Sequence, residues 1–344
     1  MENIRLNVEL LRKRVPNLTT AAKSVGIRPA TVSNLSTGKI DLGKAEVRTL
    51  VGLAELAKCK VDDLIIREGD MDMIETNIKA LDFFAPLIKG GMTGIVARPG
   101  MGQVVIVAEL LHRLKNSDYH TILWTPSANT KEVEEIEEFA DAVTRSLEET
   151  KQALKSSNDM ILFTDRSRLQ SAELLDLRDW MEENAIRNVT TLMIDVSGEV
   201  MDDDMPYGPL DTIWQLDADL SARHLYPAVN PLISTSSLME DTSVSEDHFT
   251  LRQRAQKVLR RYRELRSIVA NHGMERIAES DLHTYKIGER LEAYFTQNFY
   301  VAEEFTKKAG QSVSLKETLK DVAALLDGKA DNKPAKELQY IGAL

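Results

Sequence analysis

The sequence has few of the features that mark secreted, metal-binding or membrane proteins. It has a single cysteine, Cys59, so no internal disulfide can form, and no His/Cys cluster has the spacing of a zinc site. The longest apolar runs, such as Thr121–Trp124 and Met160–Phe163, fall far short of the roughly 20 residues that cross a bilayer. The first residues lead into a charged amphipathic stretch rather than an apolar signal. We therefore expect a cytoplasmic protein without a membrane segment or a structural metal.

The negative charge of the chain is unevenly distributed. The formal net charge is −11, yet residues 1–69 carry 12 Lys and Arg against 8 Asp and Glu, a local charge of +4 that leaves −15 for the remainder. A basic head on an acidic body is compatible with DNA contact through the head alone. The length of 344 residues exceeds the roughly 250 to 300 at which single cores stop growing, which predicts two or three domains.

Three compositional blocks predict a multidomain protein. Residues 1–69 read as an all-α head of short helices, residues 70–247 as an α/β domain with a parallel sheet, and residues 248–344 as a helical domain. The acidic stretch Lys131–Lys155 is interpreted as a solvated helix. The strand-like runs are Gly94–Ala97, Thr121–Trp124, Met160–Thr164, Thr190–Asp195 and Thr212–Leu216. The carboxy-terminal helical patterns are Phe249–Ala270, Tyr285–Thr296 and Leu315–Leu326.

A segment of the head has the spacing of two short helices joined by a tight turn. Ala22 would let the helices approach, and Gly26 is expected at the turn because a side chain would clash there. Val32 and Leu35 would press the second helix onto the first. Pro29 fits the first turn of that helix, where its missing N–H is not needed. The pattern resembles the helix-turn-helix of lambda repressor/Cro-type DNA-binding domains.

This resemblance implies a DNA-contact surface on the second helix. Its exposed residues would be of types that reach base edges or phosphates, namely Arg28, Ala30, Thr31, Ser33, Asn34 and Thr37, with Lys39 beside them. Double-stranded DNA is the implied partner, and an oligomer would be needed to span two half-sites. The alternative is a helical adaptor with a similar turn that binds protein.

Several stretches of the body resemble, in the right order, the beta subunit of the rotary ATP synthase. They are Glu75–Gly91 before the nucleotide-binding loop, Tyr226–Leu232 and Ser234–Ser236 at the nucleotide pocket, and Leu259–Met274, Phe299–Phe305 and Val313–Thr318 in the carboxy-terminal helical domain. The resemblance implies a RecA-like sheet domain followed by a helical domain. Because the family forms rings, it also implies a homo-oligomer.

The expected phosphate-binding loop lacks the residues that phosphoryl transfer needs. A working loop carries a lysine for the terminal phosphates and a Ser or Thr for magnesium. When the loop is aligned on Gly100 and Gly102, Gln103 stands in place of the lysine and Val104 in place of the hydroxyl residue. Arg98 is the one nearby positive charge expected from the sequence. The loop therefore predicts a protein that does not hydrolyse ATP.

Other catalytic groups of the family are also missing. Its catalytic glutamate follows the next strand, whereas here Thr125–Asn129 contains no carboxylate before Glu132. Ser237 stands where the family has an arginine. Asp195 ends a strand like the family's magnesium-associated aspartate, but without a hydroxyl opposite it is a poor magnesium site. We therefore expect a pseudo-ATPase without catalytic residues.

Aromatic residues stand at the positions that surround adenine in the family that the body resembles. In the family an aromatic box surrounds the base, and the matching positions here are Tyr226, Phe299 and Phe305. Stacking on aromatic faces needs neither lysine nor metal, so an adenine nucleotide is the implied ligand, without a magnesium requirement. The alternative is that these rings are core residues that hold two subdomains together.

The leading hypothesis is a DNA-binding regulatory or scaffolding protein whose inactive ATP synthase beta-like body serves oligomerisation or adenine-nucleotide sensing. One alternative is an active ATPase or motor acting on DNA, which the lost lysine, hydroxyl and glutamate disfavour. The other is an assembly subunit that does not bind DNA and uses the helical head for protein contacts.

Overall fold

The computed structural model describes residues 4–15, 18–37, 39–40, 42–67, 72–115, 117–126, 131–155, 159–186, 188–198, 200, 207–208, 210–240 and 244–344. The chain divides into two compact units, one ending at Asp72 and the other running from Met73 to Leu344 apart from residues 241–243. The boundary placed at 69/70 from the sequence lies outside the described residues. No described helix is long and apolar enough to cross a membrane.

Short helices around one apolar core make up the amino-terminal unit. Its helices are α1 (Val8–Arg14), α2 (Leu18–Ala21), α3 (Pro29–Ser36) and α4 (Val47–Ala57). The core contains Leu11, Val32, Leu53 and Leu64, all buried. Strands β1 (Ile4–Leu6) and β2 (Ile65–Arg67) pair antiparallel, a departure from the expected all-α head.

The turn before α3 has its glycine at the predicted position, but the physical reason for that glycine differs from the one expected. A single turn of 3-10 helix, Ala22–Val25, continues α2, and Gly26 then adopts a left-handed backbone with φ 75°. No atom of another described residue, apart from the two chain neighbours, lies within 4 Å of the place where a Cβ would be, so the expected clash between a side chain at Gly26 and its surroundings is wrong. The backbone conformation itself favours glycine. Pro29 starts α3, and Ala22 and Val32 are buried as predicted.

A sheet of seven described strands lies at the centre of the second unit. The strands are β5 (Met92–Val96), β6 (His120–Trp124), β7 (Ala142–Thr144), β8 (Met160–Asp165), β9 (Val189–Ile194), β10 (Thr212–Gln215) and β11 (Thr235–Ser236). Their order is β11-β10-β5-β9-β8-β6-β7, and all neighbours are parallel except β10 and β11. Each strand predicted from an apolar run is present within two residues of its predicted bounds. The expected parallel-sheet core is therefore confirmed.

The acidic stretch Lys131–Lys155 is not a single helix, so that interpretation is wrong. It contains α7 (Lys131–Glu134), then β7 at the edge of the sheet, then α8 (Leu147–Ala153). The strand forms because β6 offers backbone partners to it, with Ile122 opposite Ala142. Ser146 then caps α8 by accepting a hydrogen bond from the Glu149 amide.

Helices pack on the sheet and continue into the carboxy-terminal part. Those of the α/β part are α5 (Lys79–Phe84), α6 (Gln103–Lys115), α9 (Arg166–Gln170), α10 (Glu173–Glu183) and α11 (Ala218–Ala222). Those of the helical part are α12 (Glu246–His272), α13 (Glu279–Tyr294), α14 (Glu303–Thr306) and α15 (Leu315–Leu326). One buried cluster joins strand residues such as Trp214 to Leu259 and Leu291 of the helical part. The two parts therefore share a core, and the predicted carboxy-terminal helices are present.

Helix α5 is buried along its whole length, between the short strands β3 (Met73–Ile74) and β4 (Leu87–Ile88) in the chain. Phe83 and Phe84 stack against Phe295 of the helical part, with ring centroids 5.3 and 4.5 Å away. The carboxyl group of Asp82 accepts hydrogen bonds from the amide and hydroxyl of Thr76. Burial raises the pKa of Asp82 to about 7, although those hydrogen bonds act in the opposite direction.

We predict that Asp82→Asn removes a pH dependence of stability. Because the folded protein favours the neutral carboxyl, the free energy of unfolding should fall as pH rises from about 4, where an unfolded aspartate ionises, to about 7. Asparagine still accepts from Thr76 and cannot ionise. Urea unfolding at several pH values should show this slope in the wild type and in an Asp118→Asn control, and a reduced slope in Asp82→Asn. Equal slopes in all three proteins would contradict the prediction.

Candidate ligand pocket

A cavity of about 580 Å³ lies between the loop before α6, residues 224–228 and segments of the helical part. The loop side contributes Gly100, Met101, Gly102, Val105 and Ile106. The other walls come from distant segments and comprise His224, Tyr226, Pro227, Ala228, Gln297, Asn298, Phe299, Ala302, Phe305, Thr306, Lys308 and Tyr340. The structure therefore brings the two loop glycines together with all three aromatic residues singled out in the sequence.

The loop keeps its glycine geometry but turns its substituted positions away from the cavity. Gly100 and Gly102 have φ values of 78° and 94°, and α6 starts directly after them. A Cβ on Gly102 would lie 3.9 Å from the ring of Tyr226, so the loop and this ring are neighbours. Gln103 is buried and Val104 packs against the core, and neither lines the cavity. Arg98 is exposed and is also outside the lining.

Asp195, which the resemblance places among the residues of a degenerate nucleotide site, shapes the loop that follows β9. It is buried and accepts hydrogen bonds from the amide and hydroxyl of Ser197 and from the amide of Val200. Its carboxylate also lies 3.6 Å from Arg166 Nη1. The structure does not place Asp195 in the cavity.

The loop that follows β9 packs against the glycine loop. A Cβ on Gly198 would lie 2.2 Å from Cδ of Pro99, so the two loops touch so closely that only glycine fits. Residues Ser127–Asn129, near the place where the family has its catalytic glutamate, lie outside the described residues. Among the described ones, no three His, Cys, Asp or Glu side chains are close enough to hold a metal ion.

The three aromatic residues differ sharply in burial. Phe299 is 6% exposed and belongs to the main core, whereas Phe305 is 93% exposed at the mouth of the cavity. Tyr226 is half-buried, and its hydroxyl lies 3.4 Å from Oγ of Ser221. Packing accounts for Phe299, but no core holds Phe305 in place.

Lys308 lines the cavity and was not singled out in the sequence. Its ammonium lies 5.4 Å from the centroid of the Tyr340 ring, a cation–π distance. Arg98 is therefore not the only nearby positive charge, and that expectation is wrong. The sequence offered one clue to the role of Lys308, because it follows the predicted site residue Phe305 by only three residues.

A buried ion pair on α6 fixes the distance between the two sides of the cavity. Glu109 is fully buried and accepts from Nε of Arg113 at 2.7 Å and from the amide of Val301 at 3.1 Å. Arg113 in turn donates to the carbonyls of Asn77 and Gln311, at 3.1 and 2.6 Å. The helix that starts at the glycine loop thereby holds the backbone of the segment that carries Phe299 and Phe305.

The sequence carries a signal for this pair. Glu109 and Arg113 are four residues apart on an otherwise apolar stretch of α6, and this spacing places them on one helix face. Charged residues are rarely buried unless they are paired. A charged pair on the inward face of a helix therefore indicates a structural contact with another segment.

About three quarters of the chain resembles an ATP synthase subunit in fold. Residues 239–333, which include α12, α13 and α15, match the family model of the C-terminal domain of V and A type ATP synthase. A solved structure of similar fold is the unique ATP synthase subunit NeqB from Nanoarcheaum equitans, with a TM-score of 0.55 and 15% sequence identity. The match covers 74% of this chain and 76% of that one. The expectation of an ATP synthase-like body is thus confirmed.

We predict that Glu109→Gln strongly destabilises the protein. The substitution removes the charge that compensates buried Arg113, and breaking a buried pair typically costs about 3 to 5 kcal/mol. The matched control is Asp327→Asn, which neutralises the exposed pair with Arg254 and should leave stability nearly unchanged because solvent screens that pair. Urea unfolding measures both. Similar losses in the two variants would show that the buried pair is not a special constraint.

Proposed function

We propose that the body binds the adenosine part of an adenine nucleotide and does not transfer its phosphoryl group. The observation that carries the proposal is the meeting of Tyr226, Phe299 and Phe305 with the glycine loop around one cavity. A volume of about 580 Å³ falls within the range typical of small-molecule pockets. The flat faces of a purine can stack on such rings, each adding about 0.5 to 1.5 kcal/mol beyond simple burial.

The polar groups around the cavity support binding without chemistry. Phosphoryl transfer depends on cations and metal ions placed around the transferred group. Here Gln103 and Val104 replace the lysine and the hydroxyl residue, and Asp195 is engaged in its own loop. Among the described residues that line the cavity there is no Asp or Glu, and His224 and Lys308 are the basic ones. The alternative function, an active ATPase, would be supported only if the rigorously purified protein still hydrolysed ATP.

We predict that adenosine, AMP, ADP and ATP bind with similar, modest affinity, with or without magnesium. Phe305→Ala should weaken adenosine binding by about two- to tenfold, as expected for one lost stacking face. Because Phe305 is 93% exposed, the variant should unfold at the wild-type temperature. Calorimetric titration measures the affinities, and Phe249→Ala, on α12 outside the cavity, is the matched control.

Two results would contradict this proposal. A strong, magnesium-dependent preference for ATP would show that the phosphate end of the site is functional after all. An absence of binding by all four ligands would leave the aromatic residues as packing elements and the body as a scaffold.

We further propose that the amino-terminal unit contacts double-stranded DNA through α3. Solvent exposure supports this, because Arg28, Ala30, Ser33, Thr37 and Lys39 are exposed and Thr31 and Asn34 are half-buried. The apolar residues of the helix, Val32 and Leu35, are buried. The local charge of +4 favours a polyanion. The chain would then be a regulatory or scaffolding protein, and assembly through its ATP synthase-like body would bring two heads to neighbouring half-sites.

We predict that the full-length protein binds duplex DNA with an affinity that falls steeply as salt rises. Asn34→Ala should reduce the preference for a selected sequence over a scrambled one, because amide side chains read base edges. Lys39→Ala should weaken binding to both duplexes equally, as loss of a phosphate contact does. Fluorescence anisotropy measures these affinities, and Glu55→Gln on α4 is the control. Binding that is absent or insensitive to salt would favour a protein-binding head instead.

A further inference from the structure

Tyr340 lines the cavity from a part of the chain that lies beyond the 239–333 family match. Its backbone is left-handed, with φ 57°, a conformation that non-glycine residues seldom adopt. The same holds for His224, with φ 57°, which also lines the cavity, and for Lys307, with φ 56°, between the lining residues Thr306 and Lys308. Such conformations persist only where the surroundings enforce them, and they cluster at ligand sites.

Four hydrogen bonds hold Tyr340 in place. Its amide donates to Oγ1 of Thr296 at 2.7 Å, and its carbonyl accepts from Nδ2 of Asn298 at 3.2 Å. The hydroxyl accepts from the amide of Tyr226 at 3.1 Å and donates to the carbonyl of His224. Because the hydroxyl is already engaged in both directions, Tyr340 offers the cavity its ring rather than a free polar group.

The residues after Tyr340 are held by hydrogen bonds to two buried ionisable side chains. The ammonium of Lys79 donates to the carbonyls of Ile341 and Gly342, at 2.8 and 3.3 Å. The carboxylate of Asp321 accepts from the amide of Leu344 at 2.8 Å and from the hydroxyl of Tyr294 at 3.0 Å. Lys79 and Asp321 are both buried, so these contacts anchor the segment firmly at the edge of the pocket.

We propose that Tyr340 is a specificity-determining residue that makes the pocket prefer purine over pyrimidine nucleosides. The proposal rests on the proposed nucleoside binding by the body. A ring with no free hydrogen-bonding group selects by stacking area, and a bicyclic purine offers a larger face than a pyrimidine. Lys308 beside the ring adds a cation to the same wall. The hydrogen bond from the Tyr226 amide to the Tyr340 hydroxyl joins the two residues, so their rings form one wall of the cavity.

The test compares the affinity of adenosine with that of cytidine for four full-length proteins by calorimetry. Tyr340→Gly removes the ring, yet glycine accepts the left-handed backbone without strain and keeps the amide and carbonyl contacts. Tyr340→Phe keeps the ring and removes only the hydroxyl. Tyr119→Ala, outside the cavity, is the control, and thermal unfolding confirms that each variant is folded.

We expect the wild type, the control and Tyr340→Phe to prefer adenosine over cytidine, and Tyr340→Gly to lose about two- to tenfold in adenosine affinity while cytidine binding barely changes. If the wild type binds adenosine and Tyr340→Gly keeps the full preference, the role of Tyr340 is wrong and the proposed function stands. If the wild type does not bind adenosine, the proposed function and this inference fall together.

Discussion

The buried pair of Glu109 and Arg113 is the contact on which the geometry of the pocket depends. The helix that carries the pair begins at the glycine loop. The pair itself binds the backbone at Val301 and Gln311. The loop and the aromatic segment are nearly 200 residues apart in the chain, and this pair sets their separation in space. A buried pair of this kind contributes little net stability, but it is costly to break, so it enforces one arrangement of the segments it joins.

If the body binds a nucleoside as proposed, its cavity has the aromatic side of the site that the resemblance implies and lacks the phosphate-binding side. The aromatic side retains Tyr226, Phe299 and Phe305 around a cavity. On the loop side, Gln103 and Val104 stand where the resembling family has a lysine and a hydroxyl residue, and neither lines the cavity. Asp195 serves its own loop, and Gly198 of that loop packs against Pro99. The glycine loop is therefore braced by protein contacts, which fits a site that holds a nucleoside without acting on phosphate.

The sequence predicted the central strands well because strands buried on both faces are continuous apolar runs. It failed at Ala142–Thr144, whose acidic surroundings hide a short edge strand that forms only when β6 is beside it. The resemblance located the aromatic positions. It did not predict how buried each ring is, because the difference between Phe299 and Phe305 arises from long-range packing. Tyr340 carried no local signal, since its hydrogen-bond partners lie 42 to 116 residues away in the chain.

Photolabelling with 8-azidoadenosine in the presence of EDTA would test most directly whether the aromatic cavity holds a nucleoside without metal. We predict that the label attaches to peptides containing Tyr226, Phe305 or Tyr340, and that excess adenosine prevents the labelling. Labelling that adenosine does not compete, that requires magnesium, or that falls on other segments would contradict the account.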